Sequence, residues 1–147
     1  MEKLKELQVL ILRWAKEKDL LKFENAPKQR LKLLEEVGET AGAILKNNHD
    51  GIKDGIGDIF VVLVILAEQL SEEIIYNTNR FAKDDDKDFV FLFDNILNSK
   101  RIYYSLAYLK DICRKLNLDL TECANLAWNE IKDRKGNTID GTFIKNN

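Results

Sequence analysis

The sequence predicts an all-α protein whose subunit is a bundle of four to five helices. Over most of the 147 residues, apolar side chains recur at the three- and four-residue spacing of a helix that is buried on one face. Proline, which breaks helices, occurs once, and glycine occurs seven times. A chain of this length can bury a sizeable core, so we expect a single domain over residues 1–147.

The first predicted helix covers about residues 2–20. Its apolar stripe consists of Leu4, Leu7, Leu10, Ile11 and Trp14. A second helix is expected to run to about Lys46, because Asn25 can cap its start and Pro27 is tolerated in its first turn. A polar turn over residues 47–51 then separates it from the next helix.

The third predicted helix is capped by Asp50 and extends to Gln69 or Leu70. Its valine- and isoleucine-rich run would also suit a buried strand, but no breaker falls between Asp58 and Leu70, so helix is preferred. The nine apolar residues 59–67 are too few to span a bilayer. Because this helix is apolar on all sides, we expect it to be fully buried and the subunit to be part of a homo-oligomer.

The region after the third helix is expected to be less regular. Ser71 can cap a short further helix, and residues 83–88 form a polar loop. A fourth helix is predicted over residues 89–116, although residues 95–100 can break it.

The last predicted helix begins at a cap on Asp119 or Thr121 and reaches Arg134. The tail, residues 136–147, contains glycine, asparagine and aspartate and is expected to be irregular or to form a small hairpin around residues 142–144.

Charge and cysteine content exclude several classes of protein. A net charge of −2 gives no support for binding to a nucleic-acid polymer. Cys113 and Cys123 match no metal or redox spacing and are expected to be buried free thiols. The charged residues at the start do not resemble a signal peptide, so we expect a cytoplasmic protein with no membrane partner.

Two acidic clusters are the strongest functional signal. Glu35, Glu36 and Glu39 lie within an arc of about 100° on the second helix, beside its apolar stripe. Asp54 and Asp58 are four residues apart on the third helix, at the edge of the apolar run. The two helices are joined by a short turn and should pack antiparallel, which brings Glu39 and Asp58 to comparable depth.

Like charges gathered in this way either take up protons or collect a divalent cation. All-oxygen ligands favour Mg²⁺ or Mn²⁺ over zinc, so we predict a magnesium site. The alternative is that the glutamates form a solvated helix face and Asp54 is a turn residue.

At these residues the chain resembles the MazG-like, all-α nucleoside triphosphate pyrophosphohydrolase superfamily. The family pattern is E-E-x-x-E on one helix and E-x-x-D on the next. The first half is matched by Glu35, Glu36 and Glu39, and Asp58 matches the closing aspartate. The chain departs from the pattern at Gly55, where the family has a glutamate, and Asp54 is the obvious substitute. The resemblance covers about residues 5–70 and 117–145. The C-terminal tail of the chain resembles that of small MazG-like proteins of phage and prophage type.

The resemblance implies Mg²⁺-dependent hydrolysis of a nucleoside triphosphate to a monophosphate and pyrophosphate, in nucleotide-pool cleansing, by a homodimer or homotetramer. Mn²⁺ is a possible substitute for Mg²⁺. The metal ligands would be Glu36, Glu39, Asp54 and Asp58. Glu35 would be the catalytic base or a ligand of a second metal. The residues that would bind substrate are Trp14, Lys32, Asn129, Lys132 and Arg134.

Each of the substrate-binding assignments has a structural alternative. Trp14 lies close to an apolar stripe and can be a core residue. Lys132 and Arg134 come near the end of a helix, where positive charge is favourable in any case. Two other functions also stay open. One is a helical interaction protein that has lost catalysis, favoured by Gly55, and the other is a di-metal carboxylate redox protein, which the lack of histidines disfavours.

Overall fold

The computed structural model describes residues 1–77 and 84–146. Within them, the chain forms six α-helices and one two-stranded antiparallel sheet. The helices are α1 (Glu2–Glu17), α2 (Ala26–Leu45), α3 (His49–Gln69), α4 (Phe89–Asn98), α5 (Ile102–Leu116) and α6 (Leu120–Ile131). A single 3₁₀ turn, Phe23–Asn25, precedes α2, and strands β1 (Gly136–Ile139) and β2 (Thr142–Lys145) follow α6. The all-α prediction is confirmed.

Helix α3 is the centre of the fold. It packs against α1, α2, α5 and α6, and every residue from Ile59 to Ala67 is buried. The run is therefore helix rather than strand, as predicted. The chain's own helices cover it, so its hydrophobicity gives no independent argument for an oligomer. No described helix combines the length and the apolar character that a membrane crossing requires.

The start of α3 corrects one predicted cap. The capping side chain is Asn48 rather than Asp50, because Asn48 Oδ1 accepts a hydrogen bond from the backbone N–H of Gly51 at 3.0 Å. Asn25 does precede α2, but its side chain makes no capping bond. Its amide instead donates to the carbonyl oxygen of Leu20 at 3.1 Å, which ties the turn between α1 and α2 together.

Two predicted helices end earlier than expected. Helix α1 stops at Glu17 rather than Leu20, because Asp19 adopts a left-handed backbone with φ of 58°. Helix α6 stops at Ile131 rather than Arg134, and a turn at residues 132–133 redirects the chain into the hairpin. In both places the chain has to turn back towards the bundle.

The stretch after α3 also differs from the prediction. Ser71 has φ of 55° and ends α3 rather than starting a helix, and residues 72–77 are irregular. The predicted break in the fourth helix is real, since α4 and α5 are separate. The predicted polar loop covers residues 83–88, and residue 83 lies outside the described part of the chain. Residues 84–88 are described, and the last of them, Asp88, caps α4.

The hairpin predicted in the tail is present and folds back onto the bundle. Residues Asp140 and Gly141 make its turn with φ of 49° and 81°, both in the left-handed region that suits a tight hairpin. Phe143 meets the Trp14 ring edge-to-face with centroids 5.0 Å apart. The Thr138 hydroxyl donates to the carbonyl oxygen of Lys18 at 2.6 Å. Sequence-distant residues are thereby placed beside α1 and α3.

Candidate functional site

A cavity of about 370 Å³ lies where α1, α2, α3, α6 and the hairpin meet. We call it the main cavity. Apolar side chains of α3 form part of its wall, including Val61, Val62 and Ile65. Its charged lining residues are Lys28, Lys32, Glu36, Asp58, Glu130, Arg134 and Lys145. Charges of both signs therefore surround one partly apolar space, which is a common form of ligand site.

Glu36 is the buried carboxylate of this cavity, with only 6% of its surface exposed. One oxygen, Oε1, lies 3.3 Å from the ammonium of Lys32, while the other, Oε2, is buried with no hydrogen-bond partner among the described residues. Burial raises the pKa of Glu36, and the charge of Glu39 adds to this, while Lys32 opposes it. An orphaned carboxylate oxygen in a native fold needs an explanation, and a ligand or ion is one such explanation.

Asp58 sits on the edge of α3 that faces α2 and α6. Burial is the main cause that raises its pKa to about 7, and the charges of Glu36, Glu130 and Asp54 raise it further. Arg134 is a weaker opposing influence. Three acidic groups from three helices, Glu36, Glu130 and Asp54, therefore act on this one carboxylate.

A second cavity of about 470 Å³ adjoins the first. We call it the side cavity. Glu39 and Asp54 line the side cavity but not the main one, whereas Asp58 and Glu130 line both. The four carboxylates predicted as ligands thus line two neighbouring cavities, and Asp58 lies in the wall of both, which we call their junction.

The described residues contain no group of three His, Cys, Asp or Glu side chains already arranged to hold a metal ion. The side chains explain this. Oxygen Oε1 of Glu36 faces Lys32, and Glu39 and Asp54 are exposed. A shared ion would require these flexible side chains to turn towards the junction at Asp58, while the helices that carry them stay in place.

Close helix contacts at two glycines bring the carboxylates to this junction. A Cβ at Gly57 would collide with the carbonyl oxygen of Cys123 and would lie 2.9 Å from the methyl group of Ala127. A Cβ at Gly55 would collide with the hydroxyl of Thr40 and would lie 3.2 Å from its Cα. Helices α2 and α6 therefore approach α3 on either side of Asp58 because these positions have no side chain.

Four cationic side chains reach the main cavity. Lys32 lies on α2, where its Nζ is 2.6 Å from Glu35 Oε1. Burial lowers the pKa of Lys32, but the hydrogen bond to Glu35 and the charge of Glu36 outweigh it and the pKa is raised overall. Arg134 Nη2 lies 3.5 Å from Glu130 Oε1. The other two cations are Lys28 and Lys145. Together they can hold a polyanion beside the carboxylates.

Trp14 is both a core residue and a lining residue of the main cavity. It is 7% exposed, and its indole nitrogen is buried without a hydrogen-bond acceptor in the part of the chain that the structure describes. Trp14 therefore packs in the core, as the alternative from the sequence has it, and its indole N–H is a buried donor with no acceptor among the described residues.

Three residues that the sequence suggested for the site lie elsewhere. Glu35 is exposed, hydrogen-bonds Lys32 and lines neither cavity. Asn129 and Lys132 are also exposed and line neither cavity. The residues of this segment that line the main cavity are Glu130 (which is next to Asn129), Ile131 and Arg134, the last of which the sequence predicted.

Sequence reasoning missed Glu130, Gln29, Lys28 and Lys145 as lining residues. A signal for Glu130 was present, because it continues the α6 stripe of Cys123 and Ala127 at helical spacing. No local signal marks Lys145, which reaches the cavity only because the hairpin folds back.

The part of the chain that carries the acidic clusters is similar to a known protein family. Residues 25–83 match the family model of the MazG nucleotide pyrophosphohydrolase domain. This confirms the resemblance over α2 and α3, while the expected likeness over residues 117–145 falls outside the match.

A similar protein is described as an uncharacterized 18.2 kDa protein in the rep-hol intergenic region of Haemophilus phage HP1 (strain HP1c1). It is 46% identical over 69 residues, which is 47% of this chain. The chain thus spans 42% of that relative's length. No solved structure matches.

Proposed function

From the match of residues 25–83 to the MazG nucleotide pyrophosphohydrolase domain, we propose that this protein hydrolyses nucleoside triphosphates between the α and β phosphates. The products would be a nucleoside monophosphate and pyrophosphate, from a ribo- or deoxyribonucleotide. The observation that carries the proposal is the buried, unpartnered oxygen of Glu36 in a cavity that also holds Asp58 and four cations.

The carboxylate oxygens that line the main cavity are suitable ligands for magnesium. Carboxylate oxygens are the ligands that Mg²⁺ and Mn²⁺ prefer, and Glu36 and Asp58 present them within one cavity. Glu39 and Asp54 would join them from the side cavity. A bound divalent ion would polarise the phosphate oxygens and offset the charge that develops during attack by water.

The cations would hold the phosphate chain. Arg134, Lys28 and Lys145 line the main cavity and would neutralise the phosphates there. Lys32 would exchange its contact with Glu36 for a phosphate oxygen. A divalent ion held by Glu36 would then balance the charge that Lys32 balances in the metal-free protein.

The nucleoside would occupy the apolar part of the main cavity. Trp14 and Phe143 give it aromatic walls, and the indole N–H of Trp14 would donate to an acceptor on the base or sugar. Buried donors without acceptors favour ligands that supply one. We place this activity in the cytoplasm, in nucleotide-pool cleansing, and expect a homodimer or homotetramer.

Hydrolysis products test the proposal. Protein incubated with NTPs and dNTPs in Mg²⁺ should release monophosphate and pyrophosphate, identified by ³¹P NMR. An Asp58→Asn variant should lose this activity. Formation of a diphosphate and orthophosphate would contradict cleavage between α and β. If protein that binds Mg²⁺ turned over none of these nucleotides, the proposed enzymatic activity would be rejected.

A second function, an interaction protein without catalysis, is favoured by one observation. The glutamate of the family pattern is missing at Gly55, and Thr40 fills the space where its side chain would begin. Calorimetric titration with Mg²⁺ separates the two functions, because a degenerate site should show no binding at millimolar concentrations.

A further inference from the structure

We propose that Glu130 of α6 supplies the metal-binding carboxylate that the second acidic motif lacks at Gly55, so that three helices rather than two provide the ligands. The inference rests on the proposed function, since it assigns a further ligand at the same site. It concerns a residue outside the segment that matches the family model.

The first step is that α3 cannot supply this carboxylate at residue 55. The hydroxyl of Thr40 occupies the direction in which a side chain would leave Gly55, and the backbone of α2 follows at 3.2 Å. Thr40 is itself fixed, because its hydroxyl donates to the carbonyl oxygen of Glu36 at 2.7 Å. The gap in the motif is therefore built into the contact between α2 and α3.

The second step is the position of Glu130. Helix α6 rests directly on Gly57 through Cys123 and Ala127, and Glu130 follows Ala127 by nearly one helical turn on the same face. Asp58 is the neighbour of Gly57. Of the described residues, Asp58 and Glu130 alone line both the main and the side cavity. Glu130 and Asp58 therefore lie in the walls of the same two cavities, close enough for the charge of Glu130 to act on Asp58.

The third step is an independent observation that favours a cation in the main cavity. Within residues 1–77 and 84–146, oxygen Oε2 of Glu36 is buried without a partner, and Glu36 lines the main cavity together with Asp58 and Glu130. With Glu130 included, carboxylates from α2, α3 and α6 face one space. Mg²⁺ is usually held by a small number of carboxylates together with substrate phosphates and water, and these residues offer enough carboxylate oxygens for it.

The fourth step is that Glu130 is free to reorient. Its one ion pair in the described structure is with Arg134, 3.5 Å away, and both side chains are more than one-third exposed. Such a pair is weak. Transfer of Glu130 to the metal would release Arg134 towards a phosphate, so a single rearrangement prepares both parts of the site.

Metal binding without nucleotide tests the inference. Mn²⁺ affinity would be measured by electron paramagnetic resonance of the free ion and by calorimetry. The wild type, Glu130→Gln and Glu130→Asp would be compared. Asp133→Asn is the matched control, because Asp133 lies three residues further, is exposed and lines neither cavity. Loss of a ligand should weaken binding at least about 10-fold in Glu130→Gln, because even outer-shell partners of a metal contribute about 10- to 100-fold.

The other variants separate ligation from a general effect of charge. Glu130→Asp keeps the charge but shortens the reach, so its affinity should also fall by several-fold, while Asp133→Asn should match the wild type. Wild-type affinity in Glu130→Gln, or in Glu130→Asp, would overturn the assignment of Glu130 and leave the proposed function intact. Absence of Mn²⁺ binding by the wild type would overturn both.

Discussion

Asp58 on α3 and Glu130 on α6 face the same two cavities, and the charge of Glu130 contributes to the raised pKa of Asp58. The two residues are 72 positions apart and meet because Gly57 lets α6 rest on α3. Repulsion between them is a cost to the metal-free protein. A cation at this junction would turn the same arrangement into an attraction.

Substitution of the buried ligand should separate binding from folding. We expect Glu36→Gln to keep its fold, since glutamine is similar in size and a good helix former. Turnover should fall about 10²-fold or more, in line with the loss of a well-placed charged group. Steady-state kinetics and calorimetry with Mg²⁺ would measure both effects.

The adjacent Glu35→Gln is the control for this change. Glu35 is exposed and lines neither cavity, so its loss should leave metal affinity unchanged. A loss of turnover in Glu35→Gln as large as in Glu36→Gln would support the catalytic role predicted from the sequence and would contradict the site as described.

Arg134 and Lys132 belong to the same segment, but only Arg134 is expected to bind phosphate. Arg134 lines the main cavity, whereas Lys132 lines neither cavity. We expect Arg134→Gln to raise the KM for a nucleoside triphosphate about 10-fold, the size expected for one charge-assisted hydrogen bond. Lys132→Gln should leave KM unchanged. Equal effects of the two substitutions would indicate that only the overall charge of this segment matters.

Glycine substitutions test how the helices are brought together. A Cβ at Gly57 would meet the backbone of α6, so Gly57→Ala should destabilise the fold by about 1–3 kcal/mol and disturb metal binding. Nothing lies within 4 Å of a Cβ at Gly38, so Gly38→Ala should stabilise it by about 0.5–1 kcal/mol. Urea unfolding would measure both, and a neutral Gly57→Ala would contradict the close contact.

The raised pKa of Asp58 predicts a pH-dependent stability. The folded state holds the Asp58 proton up to about pH 7, whereas the ordinary pKa is 3.8. The stabilising contribution is therefore complete below about pH 4 and is lost as the pH rises through about 7. Glu36, whose pKa is also raised, contributes with the same sign.

Thermal unfolding of metal-free protein between pH 5 and 8 would show this. The melting temperature of Asp58→Asn should exceed that of the wild type at pH 8, by about 2–4 °C for each kcal/mol relieved, and the difference should shrink towards pH 5. A difference that stays constant with pH would mean that Asp58 does not titrate in this range.

Much of the fold could be predicted because its signals are local. The spacing of Leu4, Leu7 and Ile11 marks α1, and the unbroken run after Asp58 distinguishes a helix from a strand. The ends of helices were harder to predict. Asn48 and Asp50 are both good caps within one turn, and only the three-dimensional course of the chain selects Asn48.

The candidate site could be predicted only where its residues are neighbours on one helix. Glu36 and Asp58 belong to short acidic patterns and were recognised, but Glu130 and Lys145 reach the cavities through packing of α6 and the hairpin. The same packing leaves Lys132 outside. Tertiary contacts of this kind leave no mark in the spacing of nearby residues.

A crystal structure with Mg²⁺ and a non-hydrolysable nucleoside triphosphate would test the central claim most directly. We predict an ion with carboxylate oxygens of both Glu36 and Asp58 at about 2.0–2.1 Å and with phosphate oxygens in its remaining positions. A bound nucleotide whose metal contacts neither carboxylate, or a metal bound away from the junction of the two cavities, would contradict it.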